Sequence, residues 1–353
     1  MKRVRTLLTI AIALTLAVLF PCRSIAENLL VSLSDFSTVI KYTPSGTFTT
    51  NYQGTNDFLY PQGMAFDKAG NLFVSSGGDN SIYKFTTNGT RSLFASGLHG
   101  PAGLAFDKMG NLFEADEIGS NIYKFTATGT RTTFASGLGF IFGLAFDRTG
   151  NLFGVSWASS NIYEFAPDGK QTLFASLPDN CRETVGIAFD TTGNLFVTST
   201  PNGGSGTIFE ITTNKTITVL ASQLQSELRS IAFDRGGNLF ASEYYGRSLL
   251  EFKKCLDGTL STGPVLFGVP GSAGGFLAFQ PGDPPPTLNI VAAGNQAILY
   301  FPTTAAGYIV QTTTNLSSTN WTTLTNGTIV TALVVTNPPP AAYFRLLGPT
   351  IPP

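Results

Sequence analysis

Histidine is almost missing from this 353-residue chain, which has one, His99. Chemistry that needs paired imidazoles, as ligands of one metal or as acid and base, is excluded. Charge is sparse and balanced: 12% of residues are Asp, Glu, Lys or Arg, with 21 basic side chains against 22 acidic ones. That balance provides no basic excess to attract nucleic acid or anionic lipid, so neither is an expected partner. Beyond residue 20 no run approaches the roughly 18 consecutive apolar residues of a membrane-spanning helix. What the chain has in quantity is glycine, 38 residues, and phenylalanine, 29.

Many of these belong to one recurring unit. Between Gly103 and Leu138 the chain reads Gly-Leu-Ala-Phe-Asp-Lys-Met-Gly-Asn-Leu-Phe, later Asn-Ile-Tyr-Lys-Phe, and finally Phe-Ala-Ser-Gly-Leu. The Gly-Asn-Leu core returns at Gly70, Gly110, Gly150, Gly193 and Gly237, spaced by 40, 40, 43 and 44 residues, the period of a four-stranded propeller blade. Four short segments rich in β-branched and aromatic residues supply the strands. Asp-x-x-Gly-Asn turns at Asp67, Asp107, Asp147, Asp190 and Asp234 join the first strand to the second. A carboxylate that can accept backbone N–H bonds, beside a glycine free to take positive φ, reads as turn chemistry rather than as a ring of catalytic acids. The alanine of every first strand (Ala65, Ala105, Ala145, Ala188, Ala232, Ala278) is expected where blades converge on the axis and leave room only for small side chains.

Residues 1–26 read as a secretory signal, with Lys2, Arg3 and Arg5 ahead of an apolar run from Leu7 to Phe20 and a small-x-small site at Ser24-Ile25-Ala26. A secreted or periplasmic product is expected. The signal takes four of the 21 basic residues, leaving 17 against 22 acidic ones, a net charge of about −5. After Glu27 the chain enters in mid-repeat: Asn28-Leu-Leu-Val-Ser matches a second strand, Thr38–Tyr42 a third and Gly46-Thr-Phe-Thr-Thr a fourth. The missing first strand stands at the far end, as Gly275-Phe-Leu-Ala-Phe-Gln280. The expected fold is therefore all-β, a six-bladed β-propeller over residues 27–280 closed by a split blade, which removes the exposed edges of an open array. A stiff proline-rich linker, 281–286, leads to residues 287–353, whose alternating runs suggest a small C-terminal β-sandwich. Cys181 falls between a fourth and a first strand and Cys255 after a third, on connections that open on opposite faces. A disulfide needs Cα atoms within about 7 Å, so two free thiols are expected.

The unit from Pro101-Ala-Gly-Leu-Ala-Phe-Asp to Asn-Leu-Phe-Glu-Ala-Asp116, followed by Ile122-Tyr-Lys-Phe125, is similar to the NHL repeat. It also resembles the broader six-bladed superfamily that includes gluconolactonase-like proteins and virginiamycin B lyase. This resemblance spans residues 28–280 and implies the fold; the same blade carries lactonases, lyases and binding scaffolds. For gluconolactonase-like enzymes it implies divalent-metal ligands just before the residues that open the innermost strands. Those positions here read Gln62, Ala102, Phe142, Val185, Arg229 and Gly275, with no carboxylate. Hard cations want several oxygen ligands, so neither that metal site nor any cofactor is expected. A virginiamycin-type site implies histidine together with glutamate near a metal, and His99 alone does not supply the histidine pair. In the tail, Gly307-Tyr-Ile-Val-Gln, Asn315-Leu, Trp321 and Tyr343-Phe-Arg-Leu resemble a fibronectin type III-like module of secreted bacterial proteins, which implies an accessory domain.

Loops before first strands and after second strands open on one face. They carry Asp116, Glu117, Trp157, Glu243, Tyr244 and Tyr245, together with His99, Phe140, Phe142, Arg182, Glu183 and Arg229. Rings for stacking and polar groups for orientation suit a sugar or peptide, though irregular loop filling reads equally well. Asp116, Glu117 and Glu243 alternatively form a relocated metal or acid–base site. The expected protein is a monomeric, secreted scaffold that binds an extracellular carbohydrate, peptide or protein through this top face. The alternative is a hydrolase or lyase of the gluconolactonase-like kind with a rearranged site.

Overall fold

Turn chemistry shapes each repeat into one antiparallel sheet. The computed structural model describes residues 27–280 except 45, 54–58, 202–203, 246–247, 256 and 269–274, and beyond 280 only strands between 289 and 347. Blade 2, for example, runs Pro61–Phe66, Leu72–Ser76, Ser81–Phe85 and Arg91–Ala95. In blade 3, Asp107 accepts the N–H groups of Met109 (2.9 Å) and Asn111 (2.8 Å) on one oxygen and the Asn111 amide (2.7 Å) on the other. Gly110 takes φ 87°, a left-handed value that glycine adopts without strain. Asp67, Asp147, Asp190 and Asp234 hold the same turns. All five carboxylates are thus committed to the backbone.

The seams between blades repeat as regularly. In blades 2, 3, 4 and 6 the second-strand phenylalanine meets, edge-on, the fourth-strand ring of its own blade and the first-strand ring of the next, whereas Phe196 of blade 5 meets only the first-strand ring of Phe233. Phe113 packs against Phe134 (4.9 Å) and Phe146 (5.1 Å), and Phe153 against Phe174 and Phe189 (both 5.0 Å). Such pairs contribute about 0.5–1.5 kcal/mol beyond the apolar area they bury. The core is accordingly divided into apolar clusters along the seams, a ring rather than one central mass.

Blade 1 is the split one. Leu29–Leu33, Thr38–Tyr42 and Phe48–Gln53 come from the N-terminal side, and Leu277–Phe279 supplies the innermost strand, with Leu29 opposite Phe279 and Val31 opposite Leu277. Phe240 of blade 6 closes the ring by meeting Phe279 at 5.1 Å, as its counterparts do elsewhere. Glu27 adds an ion pair to Arg235 of blade 6 at 2.8 Å. Among the described residues the helical content is one 3-10 turn, Ser34–Phe36.

The expectation about alanine needs correcting. Met64, Leu104, Leu144, Ile187, Ile231 and Leu277, next to those alanines, are large and line the axial channel. The restricted position lies one residue earlier. A Cβ on Gly63 would stand 2.1 Å from the Ala102 carbonyl oxygen, one on Gly103 2.3 Å from that of Phe142, and one on Gly143 2.2 Å from that of Val185. Innermost strands approach each other backbone to backbone there, while Ala65, Ala105 and Ala145 pack into the seams.

Cys181 is buried, Cys255 exposed, and both are free thiols. Beyond residue 280, Asn289–Ala293, Gln296–Tyr300 and Ala332–Thr336 pair as one antiparallel sheet, and Thr322–Thr323, Ile309–Thr313 and Tyr343–Leu347 as another. The signal read at 1–26, the linker at 281–286 and the packing expected of a sandwich lie outside the described residues.

Candidate functional site

In blades 2 to 6 the chain leaving the second strand hydrogen-bonds to the chain approaching the first. The N–H groups of Gly77, Glu117, Trp157, Thr200 and Tyr244 donate to the carbonyls of Tyr60, Gly100, Phe140, Arg182 and Glu227 at 2.8–3.0 Å. Both sets of loops therefore share the top face.

At its centre, Ala102, Phe142, Val185 and Phe276 form a buried apolar cluster. The Phe142 and Phe276 rings stack 5.7 Å apart with planes 10° from parallel. In the split strand Phe276 takes the place held by Gly63, Gly103, Gly143, Gly186 and Ser230 in the other blades. The five small residues sit where neighbouring innermost strands crowd together, whereas the Phe276 ring packs on Ala102, Phe142 and Val185. Phe276 stands between the axial channel, about 120 Å³, and a second cavity of about 260 Å³ on the top face.

Ser34, Tyr60, Gln62, Glu117, Arg229 and Tyr244 line that second cavity along with Phe276. Arg229 organises it. Its guanidinium lies 4.5 Å from the centre of the Tyr244 ring and 5.6 Å from that of Phe142, with Nη1 3.5 Å from Glu227 Oε1. Stacking between rings orients a guanidinium while leaving its edge free to donate. Burial pushes the Glu117 carboxyl above the usual carboxylate range, and Arg229 pulls it back down. Glu227 is likewise raised by burial, lowered by Arg229 and raised further by Glu183.

Of the residues singled out from sequence, Glu117, Arg229 and Tyr244 come together in the cavity, and Phe142 lies against Arg229. Tyr245 is exposed and meets Tyr244 edge-on at 4.7 Å. Trp157, Phe140, Arg182 and Glu183 occupy the same face on blades 4 and 5 without lining the cavity. Asp116 and Glu243 are each only 1% exposed. Asp116 accepts the N–H groups of His99 and Gly119 at 3.0 Å each, which fixes the loop, while the exposed His99 ring sits 4.0 Å from it. Among the described residues no three His, Cys, Asp or Glu side chains are placed to hold one metal ion. The relocated metal site considered for Asp116, Glu117 and Glu243 is therefore not assembled.

Ser34, Tyr60, Glu227 and Phe276 did not stand out in the sequence. Phe276 did carry a signal, because Gly275-Phe-Leu inserts an aromatic where other repeats pass straight to an aliphatic residue. Ser34 and Tyr60 carried none, since they reach the cavity only when blade 1 closes beside blades 2 and 6.

No protein-family model and no curated protein sequence matches the chain. Solved structures do. The chain is similar to a streptogramin B lyase (TM-score 0.55, 17% identity, 66% of this chain and 78% of that one). It is also similar to a virginiamycin B lyase from Staphylococcus aureus (0.54, 14%, 78% and 92%) and a gluconolactonase from Xanthomonas campestris (0.53, 17%, 79% and 92%). What is shared at these identities is the fold. The chain is a six-bladed β-propeller, and its structural neighbours include lyase and gluconolactonase structures.

Proposed function

We propose that this is an exported, NHL-like propeller that binds an extracellular carbohydrate, peptide or protein segment in the cavity around Arg229, as a recognition module. One observation carries the reading. Where the resemblance to gluconolactonase-like enzymes implies metal ligands, the top of the axis holds the Phe142–Phe276 stack with Ala102 and Val185, and Arg229 is stacked and ion-paired above it. Aromatic faces supply contact area, and a guanidinium between two half-buried carboxyls fixes the orientation of hydroxyl or amide groups. The exposed Trp157 and Tyr245 extend the face for a longer ligand.

The test is to probe glycan and peptide arrays with the mature chain, then titrate the ligand found into wild type and into Arg229→Ala, Tyr244→Ala and Trp157→Ala. Losses of about 1–3 kcal/mol are expected for Arg229→Ala and Tyr244→Ala if these residues anchor the ligand. The melting temperature should not respond to chelator, whereas a native metal at a hundred times its Kd would add about 2.7 kcal/mol of stability. A chelator-induced drop of many degrees, or turnover of a lactone, would instead favour a hydrolase or lyase with a rearranged site. The fold likeness to lyase and gluconolactonase structures supports that second reading.

A further inference from the structure

Glu114 sits where no other blade has a polar side chain. It is the third residue of its strand, the place of Val31, Val74, Gly154, Val197 and Ala241. It is 0% exposed, and neither carboxyl oxygen has a hydrogen-bond partner among the described residues. By strand alternation it shares the face of Leu112, which packs with Phe73 and Ile82 across the seam to blade 2, and of Asp116. Its register partners are Leu104 and Tyr123.

Charged and titratable groups surround this seam. Asp116 lies on the same strand, with His99 beyond it at 4.0 Å. Tyr123 is on the next strand, and Arg131, one further out, stacks 5.0 Å over the Tyr123 ring and donates to the Gly97 carbonyl at 3.1 Å. From blade 2 comes Lys84, its amine 5.3 Å over Phe73 and 3.9 Å from Asp67. Burial pushes the Glu114 carboxyl well above the usual range, the Asp116 charge pushes it further, and Arg131 pulls it back. A neutral acid is tolerable in such a place; an ionised one without partners is far more costly.

We infer that Glu114 is a proton-operated latch on the seam between blades 2 and 3, shut while it holds its proton and opened when it ionises. The consequence reaches the top face, because Asp116, two residues on, holds the His99 loop, and Gly100 of that loop lines the cavity. The sign follows from linkage. The folded state keeps this proton more tightly than the unfolded chain, so the contribution of Glu114 to stability is fully present below the ordinary glutamate range and is lost as pH rises through the raised folded value.

Hydrogen exchange of the full chain from mildly acidic to mildly alkaline pH, corrected for intrinsic rates, tests the latch. Amides in 97–104 and 112–117 should lose protection by about tenfold or more in wild type while blade 5 stays protected. Glu114→Gln and Glu114→Val should abolish the loss. Glu114→Val places the valine of blades 1, 2 and 5 in the same position, so it decides the matter if the glutamine variant fails to fold. Constant protection in wild type overturns the latch, as does the same loss in Glu114→Val, or a loss that His99→Gln alone removes.

Discussion

Tyr42 shows how one buried atom reports on local design. Its side chain is 1% exposed between the rings of Phe48 (5.6 Å) and Phe267 (6.0 Å), and its hydroxyl has no hydrogen-bond partner among the described residues. Burial pushes the phenol up to about 12. Removing an unsatisfied hydroxyl relieves a desolvation cost, so Tyr42→Phe should be neutral or stabilising by up to about 1 kcal/mol in urea denaturation. A clear loss of stability would mean that the hydroxyl is bonded. The same scale separates the acidic residues of the top face. Asp116 is spent on loop amides, whereas Glu117, its neighbour in sequence, lines the cavity; Asp116 ends the strand and Glu117 begins the turn that follows it on the top face.

The innermost strand is the element that other elements tolerate least change in. At Gly103 an added Cβ would lie 2.3 Å from a carbonyl oxygen of the adjoining strand, and backbone cannot swing aside as a side chain does. Gly103→Ala should therefore cost about 3 kcal/mol or more, an overpacking effect at the upper end of its range. Gly110 provides the contrast, with φ 87° but open space around its Cβ position. Gly110→Ala should cost about 1–2 kcal/mol, the strain of a left-handed alanine. Denaturation of the two variants side by side checks the ordering, and equal costs would show that the strands yield. The turns follow the opposite logic: each carries its own carboxylate and glycine, so its geometry is settled within five residues.

At the scale of the molecule, ring closure is the quantity to test. A chain ending at Asp283 retains the strands of all six blades and should remain soluble with one cooperative melting transition. A chain ending at Gly271 loses Leu277–Phe279, leaves Leu29–Leu33 with an unpaired edge, and removes Phe279 from Phe240 and Phe276 from Phe142. It should aggregate or melt at a much lower temperature. Equal stability of the two chains, by melting and gel filtration, would rule out the split-blade closure as a stabilising element. Blade number, strand order, the turn aspartates and the split between the chain ends were legible in the sequence, because each repeat spells out its own strands and turns in a local, periodic pattern. The tertiary structure alone decided that the glycines rather than the alanines bear the crowding at the axis, that Phe276 packs on Phe142, Ala102 and Val185, and that the Arg229 guanidinium lies over the rings of Tyr244 and Phe142. Those residues are brought together from blades 1, 4 and 6 only by closing the ring, and the distances across its centre depend on the twist and packing of all six sheets at once, which no local pattern encodes.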